Sequence, residues 1–234
     1  MNSKSNMGII RKIYREKDIN KISSDINMLG KTNLDTMTFL NLRLLTTMIV
    51  FVVILYNSDL GYILAPFLTI LYYYLFYYLL IADKINKRAK KLDKEALEFF
   101  EILTLTLESG KNLKNAIAIT VENVESELSY EFKRALDETE YGKSLMEALH
   151  DMKNRIPSET VNNIILNITQ TSIFGSSILD TMYNQIDFLR DKQVFEIKGV
   201  INKIPNKISI LSVVFIIPLI LILIFGPFII SLFM

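Results

Sequence analysis

Three stretches of the sequence share one pattern. Residues 110–117 read GKNLKNAI, residues 142–149 read GKSLMEAL and residues 175–182 read GSSILDTM. Counted from glycine to glycine, the steps are 32 and 33 residues, which is a common length for a helix-turn-helix repeat. In each copy a glycine can end one helix, and the residues after it start the next. The pattern therefore predicts three helical hairpins in a row, although a good turn before an amphipathic helix explains any single copy.

The residues expected to shape these hairpins are the glycines and the residues three and six positions after them. The two later positions face inward on the second helix of each pair. A small residue at the last position lets two helix axes come close. We therefore expect a structural role for Gly110, Leu113, Ala116, Gly142, Leu145, Ala148 and Gly175.

Residues 83–207 are expected to be helical throughout. Apolar residues recur at helical spacing early in this segment, at Leu97, Phe100, Leu103, Thr104 and Leu107. Ser144 followed by Glu147 forms a capping-box pattern, and Pro157 or Ser158 opens the next helix. The last of six helices is expected to begin near Ser176. The predicted fold class is thus all-α, with an antiparallel six-helix bundle.

Two strongly apolar blocks flank this bundle, at residues 44–82 and 208–234. The second block has no charge in 27 residues, or about 40 Å of helix, enough to cross a hydrocarbon core of about 30 Å. The first block divides at residues 57–59, and Arg43 is the one charge in residues 36–56, close enough to the start to snorkel. We predict an N-terminal transmembrane hairpin and one C-terminal transmembrane helix. A buried hairpin of a soluble protein is the alternative, but three such runs would overfill a domain of this size.

The basic residues predict the orientation. Residues 1–43 carry eight Lys and Arg, residues 83–94 carry six, and residues 57–59 carry none. Because basic residues favour the cytoplasmic side, we expect the N-terminus in the cytoplasm and the C-terminus outside the cell membrane. The predicted organisation is a cytoplasmic N-terminal segment (1–35), the hairpin (36–82), a cytoplasmic helical domain (83–207) and a C-terminal transmembrane helix (208–234).

Tyrosines cluster at the cytoplasmic half of the second predicted span. Amphipathic rings of this kind concentrate at the membrane–water interface. An interfacial aromatic belt is expected from Tyr72, Tyr73, Tyr74, Tyr77 and Tyr78.

The composition argues against most catalytic and ligand-binding classes. With no cysteine and one histidine, disulfides and a zinc site are not expected. A net charge of +1 implies no nucleic-acid partner. His150 begins a stretch similar to the phosphoacceptor box of sensor histidine kinases, but its proline comes two residues late and no nucleotide-binding domain follows. We predict that the protein is not an enzyme and needs no cofactor or metal.

An acidic flank is the most promising partner surface in the sequence. Residues 95–155 hold 13 acidic and 7 basic residues. A solvated helix face accounts for most of them. The sharper hypothesis is a docking surface for a basic cytoplasmic partner, formed by Glu95, Glu98, Glu101 and Glu108.

The order of these motifs resembles that in the type II secretion system F domain family. The resemblance is in particular to inner-membrane platform proteins of the TadB/TadC kind, from tight-adherence and type IV pilus-like systems. The resemblance covers roughly residues 93–234. It is carried by residues 108–117, 141–149 with 154–157, and 175–190, followed by Glu196, lysines and an apolar span containing Pro218 and Gly226-Pro227. The chain departs from larger members in having one copy of the helical domain, and residues 1–43 show no pattern that the family explains.

The resemblance implies a platform role in the lipid bilayer without catalytic residues. Its partners would be a cytoplasmic hexameric secretion ATPase, pilin or pseudopilin subunits, and further copies of itself or a second platform protein. The alternative from another class is a membrane-anchored helical signalling or scaffold module without catalysis. An enzyme that uses the bundle as a lipid-facing site ranks last.

Overall fold

The structure is a computed structural model that describes residues 14–30, 34–57, 61–174 and 177–233. Within these residues the chain is all-α, as predicted, and no strand is found. The helices are, in chain order, α1 (Glu16–Asn27), α2 (Thr36–Asn57), α3 (Gly61–Tyr77), α4 (Asp83–Glu108), α5 (Leu113–Asn123), α6 (Glu127–Glu140), α7 (Leu145–Lys153), α8 (Glu159–Phe174), α9 (Ile178–Ile201) and α10 (Lys203–Phe233). The chain divides into two compact units, residues 1–184 and residues 185–234.

Helices α2 and α3 pack against each other as the predicted membrane hairpin, with the rings of Phe39 and Phe76 5.8 Å apart. α2 has a mean hydropathy of 2.1, yet only 17% of its most apolar window is buried. Met48 and Phe67 are each at least 70% exposed. A soluble core helix would bury such side chains, so this outward apolar surface is that of a membrane protein.

The second span does not end where the helical bundle begins. α3 passes through a π-helical turn, Tyr78–Ala82, directly into α4. The resulting helix runs from Tyr62 to Glu108, a length of 47 residues or about 70 Å. One continuous helix therefore belongs to both the hairpin and the bundle.

The bundle is built from α4–α8 and the first turns of α9, connected in the predicted order as pairs α4–α5, α6–α7 and α8–α9. Its centre is aromatic: Phe99 stacks on Phe132 at 4.5 Å, and Phe100 meets both rings edge-on. Leu97, expected in the core, is only half-buried, because Ala96 and Phe99 hold the inward positions of that turn.

Local capping explains where the bundle helices begin. Asn112 and Ser126 accept hydrogen bonds from backbone N–H groups at the starts of α5 and α6. Ser144 and Glu147 form the predicted capping box of α7. Of the two candidates for the start of α8, Ser158 is the cap, since its hydroxyl accepts from Val161 N at 3.0 Å.

The second unit contains the remainder of α9 and the last helix. α10 has 31 residues and begins at Lys203, before the apolar run proper. Its described side chains from Leu211 to Ile222 are apolar or uncharged and exposed.

Candidate functional site

Two glycines of the repeat adopt a backbone conformation that favours glycine. Gly110 has φ of 82° and Gly142 has φ of 95°, in the left-handed region that glycine enters without steric cost. A Cβ added at either position would meet no atom within 4 Å. The backbone angle, and not crowding, therefore explains these two glycines. Gly175, with the helix end predicted there, lies outside the described residues.

The other motif residues lie in the bundle core or at its edge. Leu113, Ala116 and Ala148 are buried, and Leu145 is only half-buried. In the third copy Thr181 is half-buried and donates or accepts a hydrogen bond of 3.0 Å with Thr171 across the α8–α9 pair. The motif thus lies where helices turn and pack.

The four glutamates predicted as a docking surface lie in two environments. At about 100° per residue, Glu98, Glu101 and Glu108 fall within about 80° of one another around α4. Glu95 lies about 140° from Glu108 by the same count. Glu98 and Glu108 are exposed, whereas Glu101 is partly buried.

Glu95 and Glu108 make internal contacts. Glu95 Oε2 accepts a hydrogen bond from Leu128 N at 3.0 Å, at the start of α6, where the helix dipole favours a negative charge. The Tyr183 hydroxyl donates to Glu108 on the exposed surface. Glu98 is therefore the member of the set whose contacts and exposure best suit an external partner.

A buried arginine joins three parts of the chain at the base of the hairpin. The Arg88 side chain, 6% exposed, donates from Nε to Glu127 at 2.5 Å and from Nη2 to Glu131 at 2.6 Å. Its Nη1 donates to the carbonyl oxygens of Met28 at 2.8 Å and Arg155 at 2.7 Å. We call these five residues the Arg88 junction. In the sequence Arg88 counted only as one of six membrane-proximal basic residues.

Ion pairs extend the Arg88 junction across the bundle. Arg155 contacts Glu131 at 3.4 Å and Glu138 at 2.9 Å. Lys143 then bridges Glu138 and Asp151, both at 2.8 Å. Charges of opposite sign therefore alternate from α4 through α6 to α7. A connected network of this kind stabilises a fold more than isolated ion pairs on the surface do.

Two carboxylates of this network, Glu127 and Glu138, have lowered pKa values. Burial raises the pKa of Glu127, but hydrogen bonds from Arg88 and Lys91 outweigh it, so the net pKa lies below the usual value. Glu138 behaves alike: burial raises its pKa, and the hydrogen bond from Lys143 with the charge of Arg155 brings it below the usual value. Both groups are therefore charged at neutral pH.

Helix α1, which lies in the N-terminal segment to which the sequence assigned no role, packs on the base of the hairpin. Ile22 and Ile26 of α1 form one apolar cluster with Phe39, Leu40 and Ile81. The chain then turns at Gly30, whose φ is 81° and whose added Cβ would lie 2.9 Å from the Arg88 guanidinium. Only glycine suits this position, both by backbone angle and by contact.

Only some tyrosines of the second span face outward, as an interfacial belt requires, and others pack inside the hairpin. Tyr74 and Tyr78 are exposed, as the belt requires. Tyr73 instead stacks on the guanidinium of Arg43, with 3.5 Å between Cζ and the ring centroid, and its carbonyl oxygen accepts from Arg43 Nη2 at 3.1 Å. Arg43, expected to snorkel, is 6% exposed and held inside the hairpin. Tyr77 also points inward and donates to Asp25 at 2.6 Å.

No cluster of catalytic type was found in the described part of the chain. Within it, no three His, Asp or Glu side chains come close enough to hold a metal ion. His150 is exposed on α7. The described side chains are instead joined by apolar packing and by ion pairs.

A comparison with known protein families identifies the family of this chain. Residues 99–226 match the family described as type II secretion system (T2SS), protein F. The chain belongs to this family. No curated protein and no solved structure gave a significant match.

The protein F family is one of inner-membrane platform proteins of type II secretion and pilus-type machines, and its members are structural membrane proteins rather than known enzymes. The matched residues begin within α4 and end within α10. Arg88 and Met28 lie before the matched region, so the Arg88 junction connects the family domain to chain that the family description does not cover.

Proposed function

We propose that this protein F family member is the platform of a type IV pilus-like assembly machine of the tight-adherence, TadB/TadC-like kind. In this proposal a cytoplasmic hexameric secretion ATPase acts on the bundle, and the hairpin passes the motion to pilin or pseudopilin subunits in the bilayer. The observation that carries it is the unbroken helix from Tyr62 to Glu108. A continuous helix transmits displacement and rotation, which a flexible linker would absorb.

The Arg88 junction supports this mechanism. It ties α4 to α6 through two carboxylates, and it ties both to the segment after α1 through Met28. Since α1 also packs against the first turn of α2 and the end of the second span, a displacement of the bundle moves both helices of the hairpin together.

For topology we propose that residues 1–35 and 83–207 are cytoplasmic, that residues 36–82 form the hairpin, and that residues 208–234 cross the membrane once more and end outside. Two observations support this arrangement. The N-terminal segment and the start of α4 lie at the same end of the hairpin. The 31 residues of α10 are long enough for a third crossing.

The proposed partners use different surfaces. The carboxylates Glu98, Glu101 and Glu108, of which Glu98 and Glu108 are exposed, face a basic surface of the ATPase, with Glu95 at their edge. The outward apolar faces of α2 and α3 face lipid, pilin, and further platform subunits, of the same chain or of a second platform protein.

A crosslinking experiment tests the ATPase contact. The chain has no cysteine, so Glu98→Cys gives a single attachment point for a maleimide–benzophenone reagent. We expect this variant, in membranes, to crosslink the purified secretion ATPase of the same organism. Lys133→Cys, at an exposed position on α6, is the matched control and should crosslink several-fold less. Equal yields, or recovery only of proteins outside the secretion machine, would favour the signalling-module alternative.

A labelling experiment tests the topology. Asn57→Cys, at the far end of α2, should react with a membrane-impermeant maleimide in intact cells. Lys133→Cys should react only after the membrane is permeabilised. The reverse pattern would overturn the proposed orientation.

A further inference from the structure

Five lysines line the outer face of α4 where it leaves the second span. At about 100° per residue they lie within about 120° of one another around the helix. The set, which we call the lysine stripe, is Lys84, Lys87, Lys90, Lys91 and Lys94, and all five are exposed. Arg88, in the middle of the same sequence run, lies about 100° from the centre of the stripe around the helix and is buried. The fold therefore separates one structural cation from five that face solvent.

The positions of these lysines relative to the hairpin match the depth of lipid headgroups. Ala82 is the last residue of the apolar run. At 1.5 Å per residue, Lys84 lies about 3 Å and Lys94 about 18 Å beyond it along the helix axis. The headgroup layer extends roughly 5–8 Å beyond the hydrocarbon core, and long lysine side chains can lean toward it. Electrostatic attraction to the headgroups reaches a further Debye length of about 8–10 Å. The whole stripe is thus within range of an anionic surface.

Internal ion pairs occupy only part of the stripe. Lys87 pairs with Asp83, and Lys91 pairs with Glu127. Within the described residues no ion pair involves Lys84, Lys90 or Lys94. These three side chains can therefore meet an external anion without breaking a contact of the fold.

The charge on this face reverses further from the membrane. After Lys94 the next charged side chain on the face is Glu98, and Glu101 and Glu108 follow. A solvated face that needed charge only for solubility would mix both signs along its length. On this face Asp83 is also close to the bilayer, but it is paired with Lys87, so the turns nearest the bilayer keep a net positive charge. The unbroken run of carboxylates begins only beyond Lys94.

We propose that the lysine stripe binds anionic phospholipid headgroups and seats the long helix at a defined depth and tilt. This inference rests on the membrane hairpin and not on the ATPase contact, so the two can fail separately. Clusters of four to eight basic residues next to a span have the composition that recruits anionic lipids. Lipid phosphate is the ligand, since the stripe lies beside the bilayer.

The test uses the full chain reconstituted in vesicles of phosphatidylcholine with about 30% phosphatidylglycerol, whose anionic headgroups attract basic residues beside a span. Electron spin resonance of spin-labelled phosphatidylglycerol and phosphatidylcholine measures the ratio of the two lipids held at the protein surface. The variant K84Q/K90Q/K94Q removes the three lysines without an internal ion pair. The matched control K111Q/K114Q/K133Q removes three exposed lysines of the bundle.

We expect the native chain and the control to prefer phosphatidylglycerol by about fivefold, the effect of one fully engaged lysine at an anionic surface. The stripe variant should show a ratio near one, and high salt should reduce the native ratio in the same way. Inorganic phosphate at millimolar concentration and short single-stranded DNA should not compete. A stripe variant with the native ratio, or competition by either free anion, would overturn the proposal. Circular dichroism confirms that each variant is folded.

Discussion

Arg88 Nη1 donates a hydrogen bond of 2.8 Å to the carbonyl oxygen of Met28, across 60 residues of sequence. This contact joins the end of the N-terminal helix to the helix that leaves the membrane. The guanidinium uses its remaining donors on two carboxylates and a second carbonyl. Few side chains besides arginine can satisfy four acceptors in such a geometry.

Replacement of Arg88 should destabilise the whole bundle. Arg88→Met leaves Glu131, whose side chain is 1% exposed, with a buried charge that has lost its main partner. We expect a loss of about 3–5 kcal/mol, typical of a broken buried ion pair. Arg88→Lys should recover only part of this, because an ammonium cannot reproduce the fork. Thermal unfolding of the detergent-solubilised protein, followed by circular dichroism, measures the change.

The neighbouring lysine is the control for that prediction. Lys87 is 76% exposed, so Lys87→Met should change the stability by about 0.5 kcal/mol or less. Equal effects at positions 87 and 88 would show that the Arg88 junction contributes nothing specific.

The three glycines that have a positive φ among the described residues should respond differently to alanine. Gly110→Ala and Gly142→Ala introduce a side chain into open space, so each should lose about 1 kcal/mol from the backbone angle alone. Gly30→Ala adds a contact of 2.9 Å with Arg88 and should also release the N-terminal segment. Limited trypsin digestion should therefore cleave near residues 15–21 much faster in Gly30→Ala than in the other two variants. The same cleavage rate in all three would contradict the close approach at Gly30.

Stability should fall with acid because of Glu127 and Glu138. Both have a folded-state pKa below the ordinary value of 4.5, so the folded state binds fewer protons than the unfolded state below that pH. Their contribution is fully present above about pH 4.5 and is lost as the pH falls through the lowered folded-state values. The melting temperature measured from pH 6 to pH 3 should drop, and the double variant Glu127→Gln with Glu138→Gln should flatten that dependence. An unchanged slope would mean that other carboxylates determine acid stability.

The two serine caps should differ in their effect. Ser144→Ala removes an exposed capping box and should lose about 1 kcal/mol. Ser158 is 1% exposed, caps α8 and also donates to Asp93 on α4, so Ser158→Ala should lose more, about 2 kcal/mol or above. Chemical denaturation compares the two variants, and a larger loss at Ser144 would contradict the buried cap.

Local patterns predicted the helices well because their causes are local. The positive φ of Gly110, the capping box at Ser144 and the start of α6 after Ser126 each depend on residues within one turn. The hairpin followed from hydropathy alone, since crossing a bilayer requires about 20 apolar residues and little else. The family resemblance drew on the same short motifs. The match of residues 99–226 confirmed the protein F family, while the TadB/TadC kind stays a prediction.

The candidate site was predictable only in part. The acidic face of α4 was visible as a spacing of glutamates, but nothing local shows that Glu95 turns to the N-terminus of α6. Arg43 was expected to reach the interface, whereas Tyr73 and the packing of α2 against α3 hold it inside. Both differences arise from a neighbouring helix that is distant in sequence.

Lys87 and Arg88 summarise what each level of structure determined. The sequence by itself established helices, spans and a cluster of cations beside the membrane, since periodicity, hydropathy and capping are properties of adjacent residues. Only the tertiary structure shows that Arg88 is the centre of the Arg88 junction and that its neighbour Lys87 lies on the lysine stripe. The reason is physical: the two side chains diverge by about 100° around the helix, and the acceptors that bury Arg88 come from residues 28, 127, 131 and 155, which only folding brings together.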